Sequence, residues 1–138
     1  MRFIALLALA VGVVSAGFPA AAATPGRTGY SRAYDFCVAT YAAQTSNRAM
    51  SACIGDEMMR HDVRLNRAYP AALGRLEFPR QKAALRKAQR AWIAFRDADC
   101  DSYGDADWGP SSGVDVAACR LKRTAERADE LEAYHLSD

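Results

Sequence analysis

Histidine is scarce in this 138-residue chain: only His61 and His135 occur, and neither stands in a His-x-x-x-His or Cys-x-x-Cys setting. A zinc site built on histidine therefore has none of its usual frame. Neither sign of charge dominates. Eighteen Lys and Arg against 16 Asp and Glu leave a formal net charge of +2, whereas a dedicated nucleic-acid binder carries a strong basic excess. No apolar run reaches the ~20 residues that a helix needs to cross a bilayer. No stretch alternates apolar and polar residues long enough for a half-buried strand, and there is no internal repeat or low-complexity segment. What remains is an ordinary globular composition, 51% hydrophobic and 25% charged, with enough apolar surface to offset the entropy of ordering.

Residues 1–23 read as an export signal. Arg2 supplies the positive start, residues 3–14 form a charge-free apolar stretch, and Ala21-Ala22-Ala23 fits a small-residue cleavage site, with Val14-Ser15-Ala16 as a second candidate. No cysteine lies near either site, so no lipid anchor is expected. Residues 24–33 are expected to be a flexible leader, and 34–138 a single domain, periplasmic or secreted, with no transmembrane segment once the signal is removed.

The four cysteines, Cys37, Cys53, Cys100 and Cys119, all lie beyond the signal. An even count in an exported chain reads as two disulfides, with three possible pairings. Cysteine-only zinc sites place their ligands in pairs two to four residues apart, and no two cysteines here are that close. Sequential pairing, Cys37 with Cys53 and Cys100 with Cys119, closes the two shortest loops and is the expected arrangement. Each bridge is worth roughly 3 kcal/mol on the chain-entropy view.

The apolar periodicity is helical throughout. Residues 34–41 suit a short helix carrying Cys37. Thr45 or Ser46 can cap a longer one whose inner positions run Met50, Cys53, Ile54, Met58, Leu65, Tyr69, Leu73 and Leu76, with His61 filling the gap. Pro70 predicts a kink or break near Tyr69. Pro79 suits the first position of a further helix, ending near Cys100, with Leu85, Ala88, Trp92 and Phe95 as its buried stripe. Three glycines and Pro110 predict a loop over residues 102–115, after which Asp115 caps a last helix through Cys119, Ala125, Ala128 and Leu131. The expected fold is all-α: three long helices and a short N-terminal one, stapled by two disulfides.

Three segments carry the most information. The first is Asp62-Val63-Arg64-Leu65-Asn66-Arg67-Ala68-Tyr69. The second is Gln89-Arg90-Ala91-Trp92-Ile93-Ala94-Phe95-Arg96-Asp97-Ala98-Asp99-Cys100. The third starts at Cys119 and continues through Thr124, Arg127 and Leu131. Together they resemble the LprI-type lysozyme inhibitor family, whose pattern pairs an Asp-x-x-Leu-Asn-x-x-Tyr helix with a Gln-Arg-x-Trp-x-x-x-Arg-Asp-x-x-Cys helix. A Cys with a downstream Thr-x-x-Arg-x-x-x-Leu closes the family's domain. The resemblance spans residues 34–134. It implies a non-catalytic exported protein whose partner is a lysozyme.

Read from the residues themselves, Asp62, Asn66, Gln89, Arg96, Asp97, Thr124 and Arg127 are expected to form an interhelical polar network, because planar guanidinium groups suit paired contacts with carboxylates. Trp92 is expected in the core. Charge is distributed unevenly: residues 97–119 hold six aspartates and no Lys or Arg, while residues 60–96 hold ten Lys or Arg against Asp62 and Glu77. Asp101, Tyr103, Asp105, Asp107 and Trp108 are thus the expected contact set for a basic protein such as a lysozyme, since complementary charge speeds encounter and aromatic groups anchor interfaces. The alternative is an envelope adaptor whose basic helix face meets anionic material. The Asp97-x-Asp99 start resembles a calcium loop only superficially, because its sixth and twelfth positions are Ser102 and Trp108. No cofactor, metal or catalytic set is expected.

Overall fold

The computed structural model describes residues 29–42, 46–105, 107 and 109–135. The expected export signal, the first half of the leader, Thr45 and Trp108 lie outside the described residues. Four helices follow one another: α1 (Arg32–Ala42), α2 (Asn47–Arg75), α3 (Pro79–Asp101) and α4 (Ser112–Glu132), with a short 3₁₀ turn at Ser102–Gly104 after α3. No strand occurs among the described residues, and the all-α expectation holds.

Local chemistry accounts for the helix starts. The Ser46 hydroxyl accepts the Ala49 N–H at 3.3 Å and caps α2. Pro79 opens α3, and the Gln81 side chain reaches back to accept the Phe78 N–H at 3.0 Å. α2 does not break at Pro70; it continues to Arg75. Pro70 and Asn66 are both exposed, so water can take the carbonyl that Pro70 leaves without a donor, while buried Leu65, Ala68 and Ala72 hold the inner face in packing. The last helix starts four residues earlier than the Asp115 cap predicts, with Ser111 in the cap position. Gly109, at φ 87°, makes the turn into it, and Asp115 instead sits in the first turn, where the helix dipole favours a negative charge.

The core lies between α2 and α4. Leu65, Ala68 and Ala72 of α2 and Leu76 just after it meet Ala128 and Leu131 of α4 and Leu85 of α3, with Tyr69, Leu73, Trp92 and Tyr134 packed at the edge. Cys37–Cys53 ties α1 to α2, and Cys100–Cys119 ties the end of α3 to α4. These are the sequential pairs. The predicted α3 stripe is only partly right. Leu85 is buried and Trp92 half-buried, but Ala88 is exposed and Phe95 is 53% exposed. α3 packs on one side only, and positions 85, 89, 92, 96 and 100 face inward. The 88–95 pair lies on the adjoining flank.

Candidate functional site

The end of the bundle stapled by Cys100–Cys119 gathers most of the aspartates. Cys100 is fully buried, and its bridge holds the two helices with Cα atoms 5.5 Å apart. Asp99 Oδ2 accepts from Arg123 Nε at 3.1 Å and Nη2 at 2.9 Å, and Asp101 Oδ1 accepts from Arg120 Nη2 at 2.6 Å. These two carboxylates therefore cross-link α3 to α4. Beyond them, Asp105 Oδ1 accepts the Asp107 N–H at 3.0 Å, folding the chain back on itself. Asp105 and Asp107 are exposed and have no ion pair among the described residues, and Tyr103 is 41% exposed beside them. A hollow of about 480 Å³ opens next to the disulfide, lined by Tyr103, Asp115, Ala118, Cys119, Lys122 and Arg123. Asp99, Cys100 and Cys119 bring three potential metal ligands together, but both sulfurs are bonded to each other and Asp99 serves Arg123. The set works as a cross-link.

The expected polar network divides. Gln89 is buried and its Oε1 accepts Arg127 Nε at 2.9 Å. Arg96 and Arg127 lie 5.1 and 5.9 Å from the centre of the Trp92 ring, and Arg96 pairs with its neighbour Asp97 at 2.8 Å. Thr124 is fully buried, with no hydrogen-bond partner for its hydroxyl among the described residues. Asp62 and Asn66 do not join; both face solvent on α2. The inward face of that helix runs through Glu57, His61, Leu65, Ala68 and Ala72. Asp62 and Asn66 each follow an inward residue by one position, about 100° further round the helix.

A second constellation lies on that inward face. Glu57 is 1% exposed and His61 is 4% exposed. Glu57 Oε1 accepts the Ser31 N–H at 2.7 Å and faces His61 Nε2 at 3.1 Å, while Oε2 accepts from the Ser31 hydroxyl at 2.6 Å and Arg60 Nη1 at 3.0 Å. On the far side of the ring, Arg64 Nη1 stands 3.1 Å from His61 Nδ1. A guanidinium can only donate, so Nδ1 is the acceptor and Nε2 carries the proton given to Glu57. Arg64 goes on to bind Glu132 at 2.6 Å and Asp129 at 2.6 Å on α4. Burial, the largest single influence on Glu57, pushes its pKa up. The two Ser31 hydrogen bonds, with His61 and Arg60, outweigh it and leave the carboxyl below its ordinary range. A cleft of about 370 Å³ opens here, bounded by Tyr30, Ser31, Arg60, His61 and Asp129. Both Glu57 oxygens are engaged, so the group locks the structure and ties the end of the expected leader to α2. Sequence reasoning missed this set. Its signal was a histidine in the apolar stripe with a carboxylate one helical turn before it.

The profile of the family described as "Lysozyme inhibitor LprI" matches residues 37–131. An Escherichia coli (strain K12) protein, the uncharacterized protein YecT, is 27% identical over 117 residues, covering 68% of this chain and 67% of its own. An uncharacterized protein of Rhizobium meliloti (strain 1021) is 27% identical over 100 residues, covering 63% of this chain and 72% of its own. No solved structure matches the chain significantly.

Proposed function

Because the chain belongs to the lysozyme inhibitor LprI family, we propose that it is an exported, non-catalytic protein that binds a basic lysozyme and occludes its cleft. The docking surface is the disulfide-held acidic end. One observation carries the assignment: Asp105 and Asp107 are exposed, with no ion pair among the described residues, on a segment anchored at both ends by Cys100–Cys119, with Tyr103 exposed next to them. A constrained segment loses little freedom on binding, so its charges act at a low ordering cost. Carboxylates that no internal cation neutralises set the encounter rate with a cationic surface, and Tyr103 with Trp108 supplies the aromatic anchors. Asp101, already paired with Arg120, shapes the segment more than it attracts the partner. The two disulfides suit a periplasmic or secreted location.

The test is a turbidity assay in which a basic lysozyme clears bacterial cell walls with and without the purified protein. Dose-dependent protection that weakens as salt rises is expected. Full clearing at a molar excess of the protein, across several basic lysozymes, would overturn the reading.

A further inference from the structure

The disulfide-held end carries more acid than its own cations neutralise. From Asp97 to Glu126 the chain holds seven acidic residues and three basic ones, Arg120, Lys122 and Arg123. All three cations are committed: Arg120 to Asp101, Lys122 to Glu126, and Arg123 to Asp99 and Glu126. Asp97 belongs to Arg96. Asp105, Asp107 and Asp115 are left with no ion pair among the described residues. Of these three, Asp115 is the one that lines the hollow of about 480 Å³ beside Cys119.

That hollow lies on the outer flank of α4. Asp115, Ala118, Cys119 and Lys122 come from successive turns of the helix, and Tyr103 closes one side from the 3₁₀ turn. The turn is pressed against α4: a Cβ added at Gly104 would stand 3.4 Å from Val116 Cγ2. Tyr103 is thus held beside the helix while remaining 41% exposed. Asp115 Oδ2 accepts the Ser111 hydroxyl at 3.3 Å, a long contact, and its other oxygen has no partner among the described residues. Ala118 is small and exposed, which leaves room for an incoming side chain to lie along α4.

We infer that this hollow is a socket for an arginine side chain of a basic protein partner, with Asp115 taking the guanidinium and Tyr103 forming the wall on which it stacks. The same end of the protein already holds a guanidinium in this way: Arg123 lies 5.5 Å from the centre of the Phe95 ring and is bonded to Asp99. A carboxylate beside an aromatic face suits the planar, weakly hydrated guanidinium better than the compact ammonium of lysine. An anionic ligand would meet Lys122 and Arg123, but Glu126 and Asp99 already neutralise both, and the surrounding charge is negative. An apolar side chain would desolvate Asp115 and give it no partner. That the partner is a lysozyme rests on the reading above; the chemistry of the socket does not. In such a complex Asp105 and Asp107 steer the approach, and the socket holds the bound state.

Amide NMR spectra of the purified chain, titrated with N-acetyl-arginine amide and, at equal charge, with N-acetyl-lysine amide, test the socket directly. Saturable shifts of the Tyr103, Ala118 and Cys119 amides are expected, at several-fold lower concentration for the arginine probe. Asp115→Asn should weaken the arginine probe roughly tenfold, the range for one charge-assisted hydrogen bond. Asp62→Asn makes the same charge change at an exposed site on α2 and should leave the probe's affinity intact. Tyr103→Leu should abolish the preference for arginine over lysine. Equal effects of Asp115→Asn and Asp62→Asn, or tighter binding of the acidic probe N-acetyl-glutamate amide at the same amides, would overturn the inference. On a lysozyme that the parent binds, Asp115→Asn should raise the dissociation rate by roughly tenfold. Unchanged dissociation there would overturn the socket and leave the lysozyme reading intact. A parent that protects against no lysozyme yet binds the arginine probe through Asp115 would overturn that reading and support the socket. Circular dichroism confirms that each variant is folded.

Discussion

Arg75, in the last turn of α2, donates from Nη2 to the Leu131 carbonyl at 2.6 Å and from Nε to the Tyr134 carbonyl at 2.7 Å. A planar cation from the neighbouring helix thus takes the Leu131 carbonyl in the last turn of α4 and the Tyr134 carbonyl just beyond it, while facing the negative end of the helix dipole. The contact also fixes the register of α2 against α4 beside buried Leu131 and Ala72.

Arg75→Ala should therefore lower stability by about 2–3 kcal/mol, the range for losing charge-assisted hydrogen bonds at a partly buried site. The loss should concentrate at the end of α4. Hydrogen exchange checks it: amides of residues 129–134 are expected to lose protection, while those at the start of α4 keep theirs. Arg75→Lys should recover only part of the loss, because an ammonium cannot span both carbonyls in one plane.

Glu57 sets the acid response of the fold. Burial alone would raise its carboxyl pKa, but the two hydrogen bonds from Ser31, with His61 and Arg60 beside it, outweigh burial and hold it below its ordinary range. A depressed folded-state pKa gives stability that is complete above the unfolded value and is lost as pH falls through the folded one. Urea midpoints measured downward from neutral pH should therefore fall within the acidic carboxylate range, and Glu57→Gln should flatten that fall. At neutral pH Glu57→Ala should cost roughly 3 kcal/mol, because Ser31, His61 and Arg60 lose their shared partner. A parent-like urea midpoint for Glu57→Ala would show that the lock contributes nothing.

Trp92 stands at the edge of the core, half-buried, with Arg96 and Arg127 near its ring. Its replacement by Ala should cost about 2–3 kcal/mol, less than the 3–5 kcal/mol of a fully buried aromatic ring. Trp92→Phe should keep most of the packing while weakening both cation contacts. Thermal unfolding of the two variants separates the contributions.

The all-α architecture, the Ser46 cap, the Pro79 start and the bridges were legible in the sequence because each rests on local chemistry or on short loops. The inward faces were less legible. Helical periodicity marks apolar positions but does not say how many neighbours a helix has. α3 packs on one side only, so Phe95 and Ala88 satisfy the spacing and still face solvent. The Glu57 lock escaped because its partner Ser31 lies 26 residues away, in a segment that reads as leader. Asp62 and Asn66 are polar at helical spacing, yet a shift of one position puts them outside.

The last prediction concerns the acidic end, where paired and unpaired carboxylates stand side by side. If Asp105 and Asp107 steer a basic lysozyme toward the protein, Asp105→Asn/Asp107→Asn should reduce the association rate and flatten its salt dependence, with little change in folding. Asp101→Asn should act differently. It frees Arg120, whose guanidinium sits 2.6 Å from that carboxylate, so it removes one negative charge and exposes a positive one near the docking surface. It also breaks the cross-link between α3 and α4, so unlike Asp105→Asn/Asp107→Asn it should lower thermal stability as well as slow association. Tyr103→Ala and Trp108→Ala should mainly raise the dissociation rate, because an aromatic anchor acts after encounter. Surface-based binding kinetics on a lysozyme that the parent binds, repeated across salt concentrations, distinguish these outcomes. Unchanged association for Asp105→Asn/Asp107→Asn on that lysozyme would move the docking surface away from the disulfide-held end while leaving inhibition itself intact.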